Sequence, residues 1–249
     1  MNLSEEKNNE LKLKLLGPAA ESAGETLQNL WELVFGRFDF YVQRKQLARE
    51  NAFKEFKESL EKRIIEIPPH AIKEPSISIL GPTLEASKFY FEEKPLRDMF
   101  VSLAAATMDQ RKEREAHPSF PEIIKQMSPL DAKNLSLFTH QFPVAEYYKK
   151  KKRSESRNTL LSNVFLGNKE VQDLELQSRS LSSLSRLGLI QIEYEKTLMA
   201  EQFYEQFYTT DFFLQLAAEL NCVGYLAGVT PGRALATPLG KAFMSVCLE

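Results

Sequence analysis

The sequence predicts a mainly α-helical protein: an N-terminal helical region followed by a C-terminal winged-helix-like α+β domain with a small antiparallel β-wing. Three observations carry this reading. Apolar residues recur at three- and four-residue steps through most of the first half. Prolines and glycines stand where helices open and stop. Near the end, a helical stripe halts at Gly188, and Ile190, Ile192 and Tyr194 then alternate with Gln191, Glu193 and Glu195. The 249 residues leave ample interior for a core, and the formal charge of −2 with 27% charged residues is ordinary for a globular protein. That composition disfavours a disordered tail, a collagen, a disulfide scaffold and a bulk electrostatic coat for nucleic acid.

Residues 1–66 are expected to form an amphipathic helical region. Ser4 opens a short helix that ends near Gly17-Pro18. Ser22 and Glu25 have the form of a capping box, in which serine and glutamate each satisfy a free backbone donor. Leu27, Leu30, Trp31, Val34, Phe35, Phe38 and Val42 follow at helical steps, and Phe53, Phe56, Leu60 and Ile64 resume them. The pattern fits one long helix or two with a break, closed by Pro68-Pro69 because proline lacks a backbone donor. The aromatic face (Trp31, Phe35, Phe38, Phe40, Tyr41) has the look of a membrane-surface helix, but its polar face is mixed in charge, which suits packing against other helices or a second copy.

A central helical region is expected over residues 67–127. Ile77, Ile79 and Leu80 form an apolar patch before Gly81, and Pro82 opens a helix. Pro95 stands at the first turn of a helix carrying Leu96, Met99, Phe100, Leu103 and Ala104. A charged connection over 109–115 leads to a second capping box, Ser119 with Glu122.

The winged-helix-like domain is expected over residues 128–249. Ser128-Pro129 starts a helix running to about His140, and residues 143–152 are extended. Residues 149–157 are the best candidate for a mobile loop. Val171, Leu174, Leu181, Leu184 and Leu187 make a helix, followed by the strand at Ile190 and a returning strand over 232–236. A further helix over 211–220 lies between them, within an insertion over 196–230 that is long for a wing. Thr237-Pro238 caps the last helix.

Catalytic and metal motifs do not emerge from the sequence. His70, His117 and His140 have no metal-ligand spacing to one another or to a cysteine, so no catalytic residue, metal ligand or cofactor is assigned. Asp109 and His117, with Ser119, are the single hydrolase-like grouping, and turn residues are the simpler account. Cys222 and Cys247 are expected to be reduced and partly buried, and the polar start has no signal-peptide core, so a cytoplasmic location is expected. No stretch is long and apolar enough to span a bilayer. Phe203, Tyr204, Phe207, Tyr208, Phe212 and Phe213 are expected to serve mainly as core.

Charge decides how a winged domain would be used. Residues 170–195 hold two cations, Arg179 and Arg186, against Glu170, Asp173, Glu175, Glu193 and Glu195, a net of −3. Affinity for DNA rests on neutralising phosphates, so this acidic region disfavours ordinary docking. Lys149, Lys150, Lys151, Lys152, Arg153 and Arg157 form a basic strip opposed only by Glu155. With Arg179 and Arg186 they are the candidate contacts to nucleic acid, an acidic partner or an acidic lipid surface; a solvated segment is the commoner use of such a run.

Several blocks together resemble the abortive infection alpha family. They include Leu16-Gly17-Pro18-Ala19-Ala20-Glu21, Ile67-Pro68-Pro69, Leu96-Arg97-Asp98-Met99-Phe100, Ala116-His117-Pro118-Ser119-Phe120 and Ser128-Pro129-Leu130-Asp131-Ala132-Lys133. Arg186-Leu187-Gly188-Leu189-Ile190 and Thr237-Pro238-Leu239-Gly240-Lys241-Ala242-Phe243 follow late in the chain. The resemblance implies a predominantly helical protein linked with defence against bacteriophage, and it brings no catalytic residue. The resulting expectation is a non-enzymatic defence protein that binds a phage or host macromolecule, most readily a protein. A DNA-binding regulator, and an enzyme centred on Asp109 and His117, are the alternatives.

Overall fold

The computed structural model describes residues 18–36, 46–153 and 156–248. The start expected at Ser4, and the stripe through Phe38, Phe40, Tyr41 and Val42, lie outside the described residues. The chain is helix-rich and divides into two compact units, Met1–Pro129 with Ala242–Glu249, and Leu130–Lys241.

In the first unit, α1 (Pro18–Phe35) and α2 (Gln46–Ile65) present the expected stripes. Ala20, Ala23, Leu27, Trp31 and Phe35 of α1 are buried, as are Ala52, Phe56, Leu60 and Ile64 of α2. Burying one such large side chain contributes about 1.5–3 kcal/mol. The rings of Trp31, Phe35, Phe53, Phe56 and Phe91 meet with centroids 4.5 to 6.3 Å apart. Ser22 is not the cap expected of it: α1 already begins at Pro18, and Ser22 is an exposed residue inside the helix.

Pro68-Pro69 does end α2, and a short 3-10 turn, Pro69–Ala71, follows. Helix α3 (Ile77–Ser87) starts five residues before Pro82, so Ile77, Ile79 and Leu80 are its first turn and the proline lies inside it. Helix α4 (Lys94–Ala106) opens at Pro95 as expected and is buried almost all round. Its Arg97, 8% exposed, reaches Glu55 of α2 at 2.7 Å and donates to the Phe91 carbonyl at 3.1 Å. Helix α5 (Phe120–Lys125) follows, and Phe120 packs edge-on against Phe243 with centroids 5.0 Å apart.

The second unit contains α6 (Pro129–Ser136), β1 (Phe142–Lys151), β2 (Arg157–Phe165), α7 (Leu174–Arg186), β3 (Ile190–Glu193), α8 (Gln202–Tyr208), α9 (Asp211–Cys222) and β4 (Tyr225–Ala236). The last helix, α10 (Pro238–Cys247), begins here and its residues from Ala242 belong to the first unit. The strands form one antiparallel sheet in the order β2-β1-β4-β3. The expected two-stranded wing is therefore one edge of a larger sheet. β3 pairs with β4 from Ile190↔Ala236 to Glu193↔Arg233, while β4 pairs with β1 from Phe142↔Ala234 to Lys151↔Tyr225.

The stop at Gly188 is a complete Schellman motif. Gly188 has φ +74, its N–H donates to Ser185 and the Leu189 N–H to Leu184, both at 3.0 Å. Thr237 caps α10 by accepting from the Gly240 N–H at 2.9 Å. Helices α8 and α9 supply Tyr204, Phe207 and Phe213 to a core with Ala145, Tyr147, Val164, Leu174 and Val229. The aromatic run is thus split: those three are buried, whereas Phe203, Tyr208 and Phe212 are exposed.

Candidate functional site

The basic strip, expected as a loop over 149–157, is strand for four of its six cations. Lys149, Lys150 and Lys151 are the last residues of β1, Lys152 and Arg153 enter the turn, and Arg157 opens β2. Glu155 lies outside the described residues. Antiparallel pairing sets Lys149 against Asn158 and Lys150 against Arg157, so the six cations gather at one end of the sheet. Lys149 and Lys150 are half-buried and the other four exposed.

Two tyrosines hold part of this cluster. The Arg157 guanidinium lies 4.9 Å from the Tyr148 ring centroid and the Lys149 ammonium 5.5 Å from that of Tyr225. Tyr148 pairs across the sheet with Gly228, where a Cβ would strike the ring, so only glycine lets Tyr148 lie down there. Both rings are half-buried, and a cation over such a ring gains about 1 kcal/mol, which leaves the cations available to an anion.

Lysines and arginines elsewhere pair with acids: Lys73 with Glu113, Lys94 with Asp98 and Arg233 with Glu193, each at 2.6 Å. Among the described residues no carboxylate forms an ion pair with any of the six hairpin cations. Glu146, farther along β1, is half-buried, and burial pushes its carboxyl above the usual range.

Arg179 and Arg186 are exposed on α7, away from the hairpin end. Ser178 of that helix donates to the Ser162 carbonyl at 2.7 Å, and Asn163 donates to Ser182 at 2.8 Å. Those contacts fall five and six residues along β2 from Arg157, about 16 to 20 Å at strand rise. The structure therefore brings together six of the eight expected contact residues and leaves these two apart. The Arg233 guanidinium, 2.6 Å from Glu193, offsets one acidic charge at the β3 edge, and its hydrogen bonding holds the Glu193 carboxyl below the ordinary range.

Asp109 and His117 each serve a local turn. Asp109 accepts from the Arg111 backbone N–H at 2.9 Å and from its guanidinium at 2.6 to 3.1 Å, capping the 3-10 turn Gln110–Lys112. Burial pushes the Asp109 carboxyl up, but the Arg111 hydrogen bonds outweigh it and the net shift is downward. His117 accepts through Nδ1 from the Ser119 N–H at 3.1 Å, with the Ser119 hydroxyl 2.7 Å from the same nitrogen. That contact occupies Ser119, which makes no side-chain cap to α5. Asp109, Arg111, Lys112, Arg63, Glu66 and Ser245 line a cavity of about 130 Å³ that does not include His117. No group of three potential metal-binding side chains occurs among the described residues. Both cysteines are free; Cys247 is buried, whereas Cys222 is exposed, contrary to the expected partial burial.

Sequence reasoning missed the apolar side chains beside the basic strip. Val223 is 68% exposed, Leu160 42% and Leu226 38%. Leu226 stands opposite Lys150 and Tyr225 opposite Lys151. The run Tyr225-Leu226-Ala227-Gly228-Val229 carries no polar alternation, so nothing in the sequence marked which of its side chains stay exposed.

Fold and site together define a helix-rich protein of two units, the second of which exposes a cationic β-hairpin. The sequence profile of the abortive infection alpha family matches residues 48–247, and the chain belongs to that family. No curated protein and no solved structure matches it. Among the described residues no helix is long and apolar enough to cross a membrane.

Proposed function

We propose that this chain takes part in defence against bacteriophage as a binding protein that carries out no reaction of its own. The unit Leu130–Lys241 engages a polyanionic phage or host target through Lys149, Lys150, Lys151, Lys152, Arg153 and Arg157. Family membership supports the defence role. The observation that carries the binding role is the convergence of six cations with no carboxylate partner among the described residues. The protein acts from the cytoplasm in this reading, where its target becomes accessible during infection.

The succession of α7, β3 and, after α8 and α9, β4, with Ile190 paired to Ala236, supports a winged-helix likeness, and with it a second reading as a DNA-binding regulator using Arg179 and Arg186. Exposed Glu175, one turn before Arg179 on α7, weighs against it.

Plaque assays test the first reading. Alanine at Lys149, Lys150, Lys151, Lys152 and Arg153 is expected to abolish protection while circular dichroism and thermal unfolding stay unchanged. Full protection by that folded variant would overturn the proposal.

A further inference from the structure

The hairpin end carries more than charge. Val223 leaves α9 with 68% of its surface exposed, Leu226 stands opposite Lys150, and Leu160 follows Thr159, the partner of Tyr148. Aliphatic and cationic side chains therefore share the same strand ends. A nucleic acid makes poor use of this mixture, because exposed valine and leucine offer phosphates and bases neither charge nor a flat face to stack on. An anionic bilayer uses all of it. Headgroup phosphates attract the cations, tyrosines favour the interfacial depth, and short aliphatic side chains gain by entering the acyl boundary.

We propose that Leu130–Lys241 docks on the surface of an anionic phospholipid bilayer through this end. Lys149, Lys150, Lys151, Lys152, Arg153 and Arg157 lie among the headgroup phosphates. Val223, Leu226 and Leu160 enter the outer acyl layer, with Tyr148 and Tyr225 at the boundary. The charge complementarity that selects this occupant is the cation cluster left without carboxylates among the described residues. The mode is peripheral, lying on the membrane without spanning it. This inference rests on the polyanion-binding reading above and names its target.

The test is co-sedimentation of the full chain with phosphatidylcholine vesicles, with and without phosphatidylglycerol, beside a mobility shift on random single- and double-stranded DNA at low salt. Binding is expected on the phosphatidylglycerol vesicles alone, and it should weaken as salt rises. Five alanines at Lys149, Lys150, Lys151, Lys152 and Arg153 should weaken it by more than about a hundredfold. The double variant Val223→Ser, Leu226→Ser should weaken it about tenfold. Both residues are exposed in the free protein, so an unchanged circular dichroism spectrum is expected. Undiminished vesicle binding by the serine variant would overturn the bilayer inference. So would tight DNA binding without vesicle binding; that result, if lost in the alanine variant, would leave the polyanion reading standing. Binding to neither would overturn both.

Discussion

Replacing Asn134 by alanine is expected to destabilise the sheet-bearing unit severely, although no apolar contact of any size is removed. Asn134 is 0% exposed, as is Gln177, with Ser180 at 4% and Asn168 at 8%. The Asn134 amide donates to Gln177 Oε1 at 2.9 Å and to Ser180 Oγ at 3.0 Å, and its oxygen accepts from Asn168 Nδ2 at 2.8 Å. Gln177 in turn donates to the Asn168 and Val171 carbonyls, both at 3.0 Å. This network ties α6 to α7 and to the chain entering α7. Truncation strands a buried acceptor on Gln177 and a buried donor on Asn168, at about 1–3 kcal/mol each. The small void adds to that, so the expected loss is about 3–5 kcal/mol, a large share of the roughly 5–15 kcal/mol that holds a typical domain. Urea unfolding followed by circular dichroism measures it as a lower midpoint at unchanged slope. A loss below about 1 kcal/mol would mean that water replaces the missing amide and that the network does not hold the unit together.

His117 and Tyr194 offer single-residue tests. His117→Ala should leave phage protection intact and lower stability by no more than about 1 kcal/mol, since the exposed ring serves a turn; loss of protection in the folded variant would restore the hydrolase reading. Burial pushes the Tyr194 phenol up to about 12, against about 10 for a free tyrosine, so the stability it contributes is complete below pH 10 and is lost as pH rises towards 12. Absorbance titration should show a late-ionising phenol that disappears in Tyr194→Phe; an unchanged late phase would contradict the assignment.

How legible the molecule was in its sequence depended on which force set each element. Helices that bury a stripe were legible, because Leu27, Trp31, Phe56 and Leu60 record the burial directly. The β3 edge was legible for the same reason, its alternation being its register with β4. Capping motifs misled where a competing partner existed: Ser119 turned to His117, and Ser22 lies in a helix already under way. Pro82 read as a helix start but sits within α3, whose first turn forms from Ser76 onward. Strand β2 was invisible, since Asn158, Ser162 and Asn163 read as loop and its pairing is broken by two irregularities, with Asn163 at φ 52. Without β2, the lysines of β1 looked like a solvated run. The buried amides Asn134, Asn168 and Gln177 were passed over because polar residues are ordinarily assigned to the surface.

If the hairpin works by its charge, plating efficiency must follow that charge across a graded series. Substituting Lys149, Lys150, Lys151 and Lys152 by arginine should preserve protection. Glutamine at one, two and then all four positions should erode it stepwise. Protection lost with arginine, or kept with four glutamines, would contradict the account.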